Sequence, residues 1–180
     1  PTTVKNNGLY YIIFTYMPII PANSLDFISR SPQQTQRLGF RLGALLKPGD
    51  VLGLSGDLGS GKTTLVQGIA QGWGTIDAVS SPTFVLVNSY RKPDGNQLHH
   101  LDAYRIDSAV EAEDLDLEDL LDSGPLLVEW AERIDAALPP DRLVIQMTWM
   151  ADEQRNLVFT PAGKRYEQLM TAFKRQAFGG

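Results

Sequence analysis

No cysteine occurs among the 180 residues, which excludes disulfides, thiolate zinc sites and a cysteine nucleophile and suits a reducing, cytoplasmic setting. Only two histidines are present, and they are neighbours, His99 and His100. Adjacent residues on a strand point to opposite faces, so one ion cannot easily take both, and the pair reads as structural or hydrogen-bonding. A long apolar run is also missing. The most apolar stretch, Leu9 to Ile20, is broken by Pro18, whereas a membrane span needs about 20 such residues. It has no basic leader or small-residue cleavage pattern, so it fits a secretory signal poorly and reads as an edge strand or as sequence upstream of a start at Met17. Finally, basic charge is in deficit. Sixteen Lys and Arg against 21 Asp and Glu give a net charge of −5 and a pI near 5.0. The overall footprint of a stand-alone nucleic-acid binder is absent, although a local basic patch remains compatible with these totals.

The chain does have the means to bury a core: 43% of its residues are hydrophobic and 21% charged, over a length that suits one domain of about 100 to 200 residues. No internal repeat or low-complexity segment interrupts it. Residues 1–28 read as an N-terminal extension and residues 29–180 as a single domain. Ser31, Pro32 and Gln34 supply an N-cap, a proline at the first helical position and a capping-box partner. The helix they open carries Leu38, Leu42, Leu45 and Leu46 on one face and is expected to stop at Lys47, Pro48 and Gly49. The short apolar run Val51 to Ser55 then predicts a buried strand, a glycine-rich turn follows, and Leu65, Val66, Ile69 and Ala70 mark a second helix.

Phe84 to Tyr90 and Gln97 to Tyr104 flank a Pro-Asp-Gly turn and predict an antiparallel hairpin. Between Asp107 and Asp122 there are eight acidic and no basic residues. Ser108 with Glu111 and Asp116 with Asp119 fit N-cap patterns there, so short acidic helices are expected, with Leu117, Leu120 and Leu121 as an apolar face. Leu126 to Val128 form another buried strand. Leu143 to Met150 and Asn156 to Thr160 predict a second hairpin around ADEQ, and a closing helix places Tyr166, Leu169, Met170 and Phe173 on one face.

Gly56-Asp57-Leu58-Gly59-Ser60-Gly61-Lys62-Thr63 matches G-x-x-x-x-G-K-[ST] in full. A chain of this composition would show such a match by chance about once in 200, so the motif carries weight before its context is considered. It follows a predicted strand and opens a helix, the arrangement that aims backbone N–H groups and the helix dipole at a phosphate. Lys62 is expected on the β and γ phosphates, the Thr63 hydroxyl on magnesium, and the cradle runs on to Thr64. No N-K-x-D guanine-selecting element occurs, which favours ATP, and the absence of L-S-G-G-Q disfavours an ABC-type ATPase. A magnesium-nucleotide site also needs a carboxylate at the end of a buried strand. Two are available: Glu129, after Leu126, Leu127 and Val128, and Asp102, at the end of LHHLD.

GDLGSGKTTL (Gly56 to Leu65), SPTF (Ser81 to Phe84), HLDAYR (His100 to Arg105) and LVEWAER (Leu127 to Arg133), in this order, resemble the TsaE ATPases, which are required to make N6-threonylcarbamoyladenosine in tRNA. The likeness runs from about Ser29 to Arg142. It implies a small ATPase acting with the partners TsaD and TsaB, reaching tRNA through them and performing no transfer chemistry itself. It implies that Lys62 and Thr63 bind phosphate and magnesium, that Glu129 is the metal-linked acid, and that Asp102 is the acid of an H-x-D-x-Y-R motif. By the same likeness, Ser81, Pro82 and Thr83 belong to a nucleotide-sensing switch, Trp130 to a tryptophan near the site, and Tyr104 and Arg105 to a partner contact or a charge network. Leu101 and Ala103 flank Asp102 where phenylalanine and leucine are frequent, and Ala131 stands where proline is frequent. These departures bear on packing more than on chemistry.

The fold expected is a three-layer α/β phosphate-loop NTPase with a mixed sheet, since two hairpins require antiparallel strands. The reaction expected is magnesium-dependent ATP hydrolysis, with Lys62 and the metal stabilising charge on the transferred phosphoryl group and Glu129 or Asp102 positioning water. The alternatives are a small-molecule kinase, which usually needs an arginine-bearing lid, and a non-hydrolysing, ATP-gated binding module. The arginines around Arg105 and Arg133 do not form an obvious lid.

Overall fold

The computed structural model describes residues 2–6, 9–13, 23–80, 82, 86–106, 111–112 and 115–179. Strands β1 (Thr2–Asn6) and β2 (Leu9–Ile13) pair antiparallel as a separate ribbon. All the other described strands join one seven-stranded sheet. In chain order its elements are β3 (Leu25–Ser29), α1 (Pro32–Gly43), β4 (Val51–Ser55), α2 (Lys62–Trp73), β5 (Val87–Arg91), β6 (Gln97–Asp102), α3 (Leu117–Ser123), β7 (Leu126–Glu129), β8 (Arg142–Ala151), β9 (Gln154–Ala162) and α4 (Lys164–Phe178). The strand order is β3-β9-β8-β4-β7-β6-β5. Its four central strands, β8, β4, β7 and β6, are parallel, and the outer pairings are antiparallel.

β4 is buried along most of its length because apolar side chains leave it on both faces. Leu52 and Leu54 join Leu38, Leu42, Leu65, Ile69, Phe159 and Phe173 in one core beneath α1, α2 and α4. Val51 joins Leu101, Val128, Ile134 and Leu138 in a second core, against which α3 lays Leu117, Leu120 and Leu121. The result is the expected three-layer α/β arrangement with a mixed sheet.

Helices α1 and α2 interlock through four glycines. A Cβ on Gly39 or Gly43 would meet Leu65 O or Ile69 O at 2.6 and 2.0 Å, and one on Gly68 or Gly72 would meet Gln36 O or Phe40 O at 2.2 and 1.9 Å. The missing side chains let each backbone sink into the other, which holds the helix behind the phosphate loop tightly in place.

Several sequence expectations shift in detail. The capping box opens α1 with Ser31 Oγ accepting from the Gln34 N–H at 3.2 Å, but the Gln34 side chain accepts from the Arg30 N–H at 2.7 Å, one residue before the cap. α1 ends at Gly43, ahead of the Lys47-Pro48-Gly49 stop. β6 ends at Asp102 instead of Tyr104, because the Asp102 carboxylate accepts the Tyr104 N–H at 3.0 Å and turns the chain into a single helical turn, Ala103–Arg105. Asp116 precedes α3 in a left-handed conformation and makes no side-chain cap. Ser108, the other predicted cap, lies outside the described residues, as do Ser81, Thr83 and Phe84. The main sheet begins at Leu25, within the segment read as an extension, where β3 pairs with β9.

Candidate functional site

β4 feeds directly into the glycine-rich turn, and the turn feeds into α2. Gly61 occupies the N-cap of α2 with φ of 98°, a left-handed conformation that suits glycine. Gly56 combines φ of 136° with a close approach: a Cβ there would lie 2.1 Å from Met147 O on β8. The loop is thereby pressed against the neighbouring strand. Ser60 is fully buried, and its hydroxyl has no hydrogen-bond partner among the described residues.

Lys62, buried at the first position of α2, folds its ammonium back onto the loop, donating to Gly56 O at 2.6 Å and Asp57 O at 3.1 Å. The same ammonium sits 3.9 Å from the centre of the Trp130 ring. Burial pushes the Lys62 pKa below its ordinary value, opposed by the attraction of Glu129, Glu132, Asp102 and Asp57. Trp130 reaches this position because it has φ of 59° immediately after β7. It also packs against Tyr104, ring centres 5.1 Å apart, and Arg133 lies over the other ring of that pair at 5.2 Å.

The Thr63 hydroxyl donates to the Glu129 carboxylate, 2.9 Å from Oε1 and 3.2 Å from Oε2. Glu129 is buried and also accepts from His100 Nε2 at 3.0 Å, so Thr63 and His100 converge on Oε1. His100 Nδ1 is buried and has no hydrogen-bond partner among the described residues. His99 points the other way, between Ser89 Oγ and Ser123 Oγ, each 2.8 Å distant, and burial lowers its pKa. Both histidines are hydrogen-bonding residues, as expected, but the contact of His100 with Glu129 was not legible in the sequence.

Asp102 and Glu129 are register partners on β6 and β7, and Glu129 is in turn the partner of Leu54 on β4. Both carboxylates therefore lie at the C-terminal edge of the parallel strands, beside the phosphate loop, where open α/β sheets bind ligands. A cleft of about 420 Å³ joins these groups, lined by Leu58, Gly59, Gly61, Lys62, Thr63, Thr64, Asp102, Tyr104, Glu129, Trp130 and Arg155. Arg155 comes from the second hairpin and was not singled out from the sequence. Asp57 is exposed beside the cleft and contributes Asp57 O to the Lys62 ammonium. Pro82 is buried, and Arg105 is exposed.

A family model described as the threonylcarbamoyl adenosine biosynthesis protein TsaE matches residues 29–157. The tRNA threonylcarbamoyladenosine biosynthesis protein TsaE of Bacillus subtilis is 42% identical over 147 residues, 81% of this chain and 90% of that protein. Its counterpart of the same name in Streptomyces coelicolor is 42% identical over 137 residues, 73% of this chain and 93% of that one. Among solved structures, the crystal structure of Bacillus subtilis YdiB is similar with a TM-score of 0.70 and 36% identity, covering 84% of this chain and 95% of that one.

Proposed function

The chain belongs to the TsaE family, and from that premise we propose that it is a magnesium-dependent ATPase that serves N6-threonylcarbamoyladenosine formation in tRNA together with TsaB and TsaD. The observation that carries the proposal is the convergence of Lys62, Thr63 and Glu129 at the mouth of a glycine-formed loop, inside one cleft that Asp102 also lines.

The residues fit a magnesium-nucleotide. Glycine at positions 56, 59 and 61 removes the Cβ atom at those three points of the loop, and open space surrounds the Gly59 position. The Lys62 ammonium, satisfied by two loop carbonyls, exchanges them for phosphate oxygens of higher charge. Thr63 and Glu129 would hold the metal, whose chemistry when bound is to neutralise charge on the phosphate oxygens. His100 fixes the orientation of Glu129. Asp102 is only half-buried and spends one oxygen on the Tyr104 N–H, leaving the other to orient a water molecule in the cleft. In hydrolysis the water oxygen bonds to the γ-phosphorus as the bond to the β–γ bridging oxygen breaks, giving ADP, phosphate and a proton. Lys62 stabilises the charge that develops on the leaving oxygens.

Phosphate release by the purified chain, alone and with TsaB, TsaD and tRNA, tests the reading. Magnesium-dependent ADP formation supports it, whereas ATP binding without phosphate release favours a gated binding module. A phosphorylated small molecule in place of free phosphate favours a kinase.

A further inference from the structure

The β8–β9 hairpin overshoots the strand it accompanies. β8 pairs with β4 through Gln146, opposite Ser55 at the entrance to the phosphate loop, then continues to Ala151 before β9 returns. The overshoot stands beside the loop: Met147 O packs against Gly56, and Arg155, facing Trp149 across the hairpin, reaches the opening of α2. The Arg155 Cγ and Nε lie 3.9 and 4.0 Å from the point that a Cβ on Gly61 would occupy.

The guanidinium is half committed. Its Nη1 donates to Asp152 O and Gln154 O, both at 2.9 Å, which anchors the side chain to the hairpin turn. Its Nε is buried and has no hydrogen-bond partner among the described residues. No carboxylate among the described residues forms an ion pair with Arg155. A buried cationic donor without a partner is costly and calls for an acceptor, and an anchored guanidinium edge matches two oxygens of one phosphate. Of the described residues lining the cleft, Lys62 and Arg155 are the cations, and they come from different elements.

We propose that Arg155 is a phosphate-binding residue of the nucleotide site, gripping the phosphate chain through its Nε and Nη2 edge from the hairpin side. The proposal rests on the nucleotide reading given above. It makes the β8–β9 hairpin part of the binding site, so the phosphates are held by one cation from the loop helix and one from the sheet.

Calorimetric titration of the full chain with ADP, ATP and adenosine tests it, using wild type, Arg155→Ala and Arg155→Lys. Arg155→Ala is expected to weaken ADP and ATP about 10- to 100-fold, the range for a hydrogen bond to a charged group, with adenosine unaffected. Arg155→Lys keeps the charge but loses the fork, so it recovers only part of the affinity and serves if the alanine variant fails to fold. Unchanged ADP affinity in the folded variants overturns the proposal. So does a lower Tm of the nucleotide-free protein with ADP affinity intact, which would confine Arg155 to holding the hairpin turn. Wild-type chain that binds neither ADP nor ATP overturns the nucleotide reading and this proposal together, whereas wild-type binding matched by both variants overturns this proposal alone.

Discussion

Lys62→Ala removes a cation from the phosphate cleft and is expected to cost about 100-fold or more in hydrolysis, the range seen when a single transition-state charge donor is lost. Phosphate release checks it, and unchanged turnover would refute the phosphate-loop assignment. The proposed function gives the two carboxylates different roles, which substitution can separate. Glu129→Gln keeps the shape but loses the charge opposite Thr63, so the magnesium requirement should rise and hydrolysis largely disappear. Asp102→Asn should lower turnover while leaving the magnesium requirement near wild type; the reverse pattern would exchange the roles of the two acids. His100 is a positioning residue for Glu129. His100→Ala is expected to raise the magnesium concentration for half-maximal hydrolysis about 10- to 100-fold, as for other partners of metal-linked groups. ADP binding without metal should be unaffected, and His100→Asn, which retains a donor, should recover part of the loss. Glu129 and Asp102 were readable because each ends a short buried strand: Glu129 closes an apolar run and Asp102 closes LHHLD. His100 and Arg155 were not, because their partners are set by the pairing of β6 with β7 and by the overshoot of β8, and neither register is written locally.

Among the elements, the α1–α2 pair gives a test in which the sign itself decides. Helix propensity alone predicts that Gly43→Ala stabilises by about 1 kcal/mol. A Cβ at Gly43 would fall 2.0 Å from Ile69 O, so the helices must separate, and a net destabilisation of about 3 kcal/mol is expected by denaturant unfolding. The glycine spacing on both helices stood in the sequence, but only the packed pair shows that the glycines face each other. A second test concerns the loop after α2, which is tied to β5 where Arg91 donates from its backbone and side chain to Asp77. Those bonds hold the Asp77 carboxyl down to about 2. A depressed carboxylate contributes stability that is complete above its unfolded pKa, about 3.9, and is lost as pH falls through about 2. Asp77→Asn should abolish that acid-side component in unfolding midpoints measured across pH, with a small effect at neutral pH because the pair is exposed. Helices, hairpins and the order of elements were legible from caps, turns and periodicity. β3 was missed: its five residues, half-buried in alternation, become a strand only by pairing with β9.

At the scale of the whole molecule, a chain with net charge −5 has little counterion release to gain from tRNA. The isolated protein should bind tRNA weakly, and if it acts as the proposed ATPase, any tRNA dependence should arrive through partner proteins such as the proposed TsaB and TsaD. Filter binding across a salt series checks this; tight, strongly salt-dependent binding by the chain alone would contradict it. The layers themselves follow from patterning, since apolar residues at period 3.6 and short wholly apolar runs leave few ways to bury both faces of a parallel sheet. The sequence by itself determined the phosphate loop, because a loop between a strand and a helix is local chemistry: glycines for its conformation, a lysine and a threonine at fixed offsets. It also pointed to the two acids, Glu129 and Asp102, that the fold places beside that loop. Only the tertiary structure decided that Thr63 meets Glu129, that His100 backs it, that Trp130 covers Lys62 and that Arg155 enters from the far hairpin. Those contacts join residues far apart in the chain, and their distances depend on strand order, register and overshoot, which are fixed by the packing of the sheet as a whole.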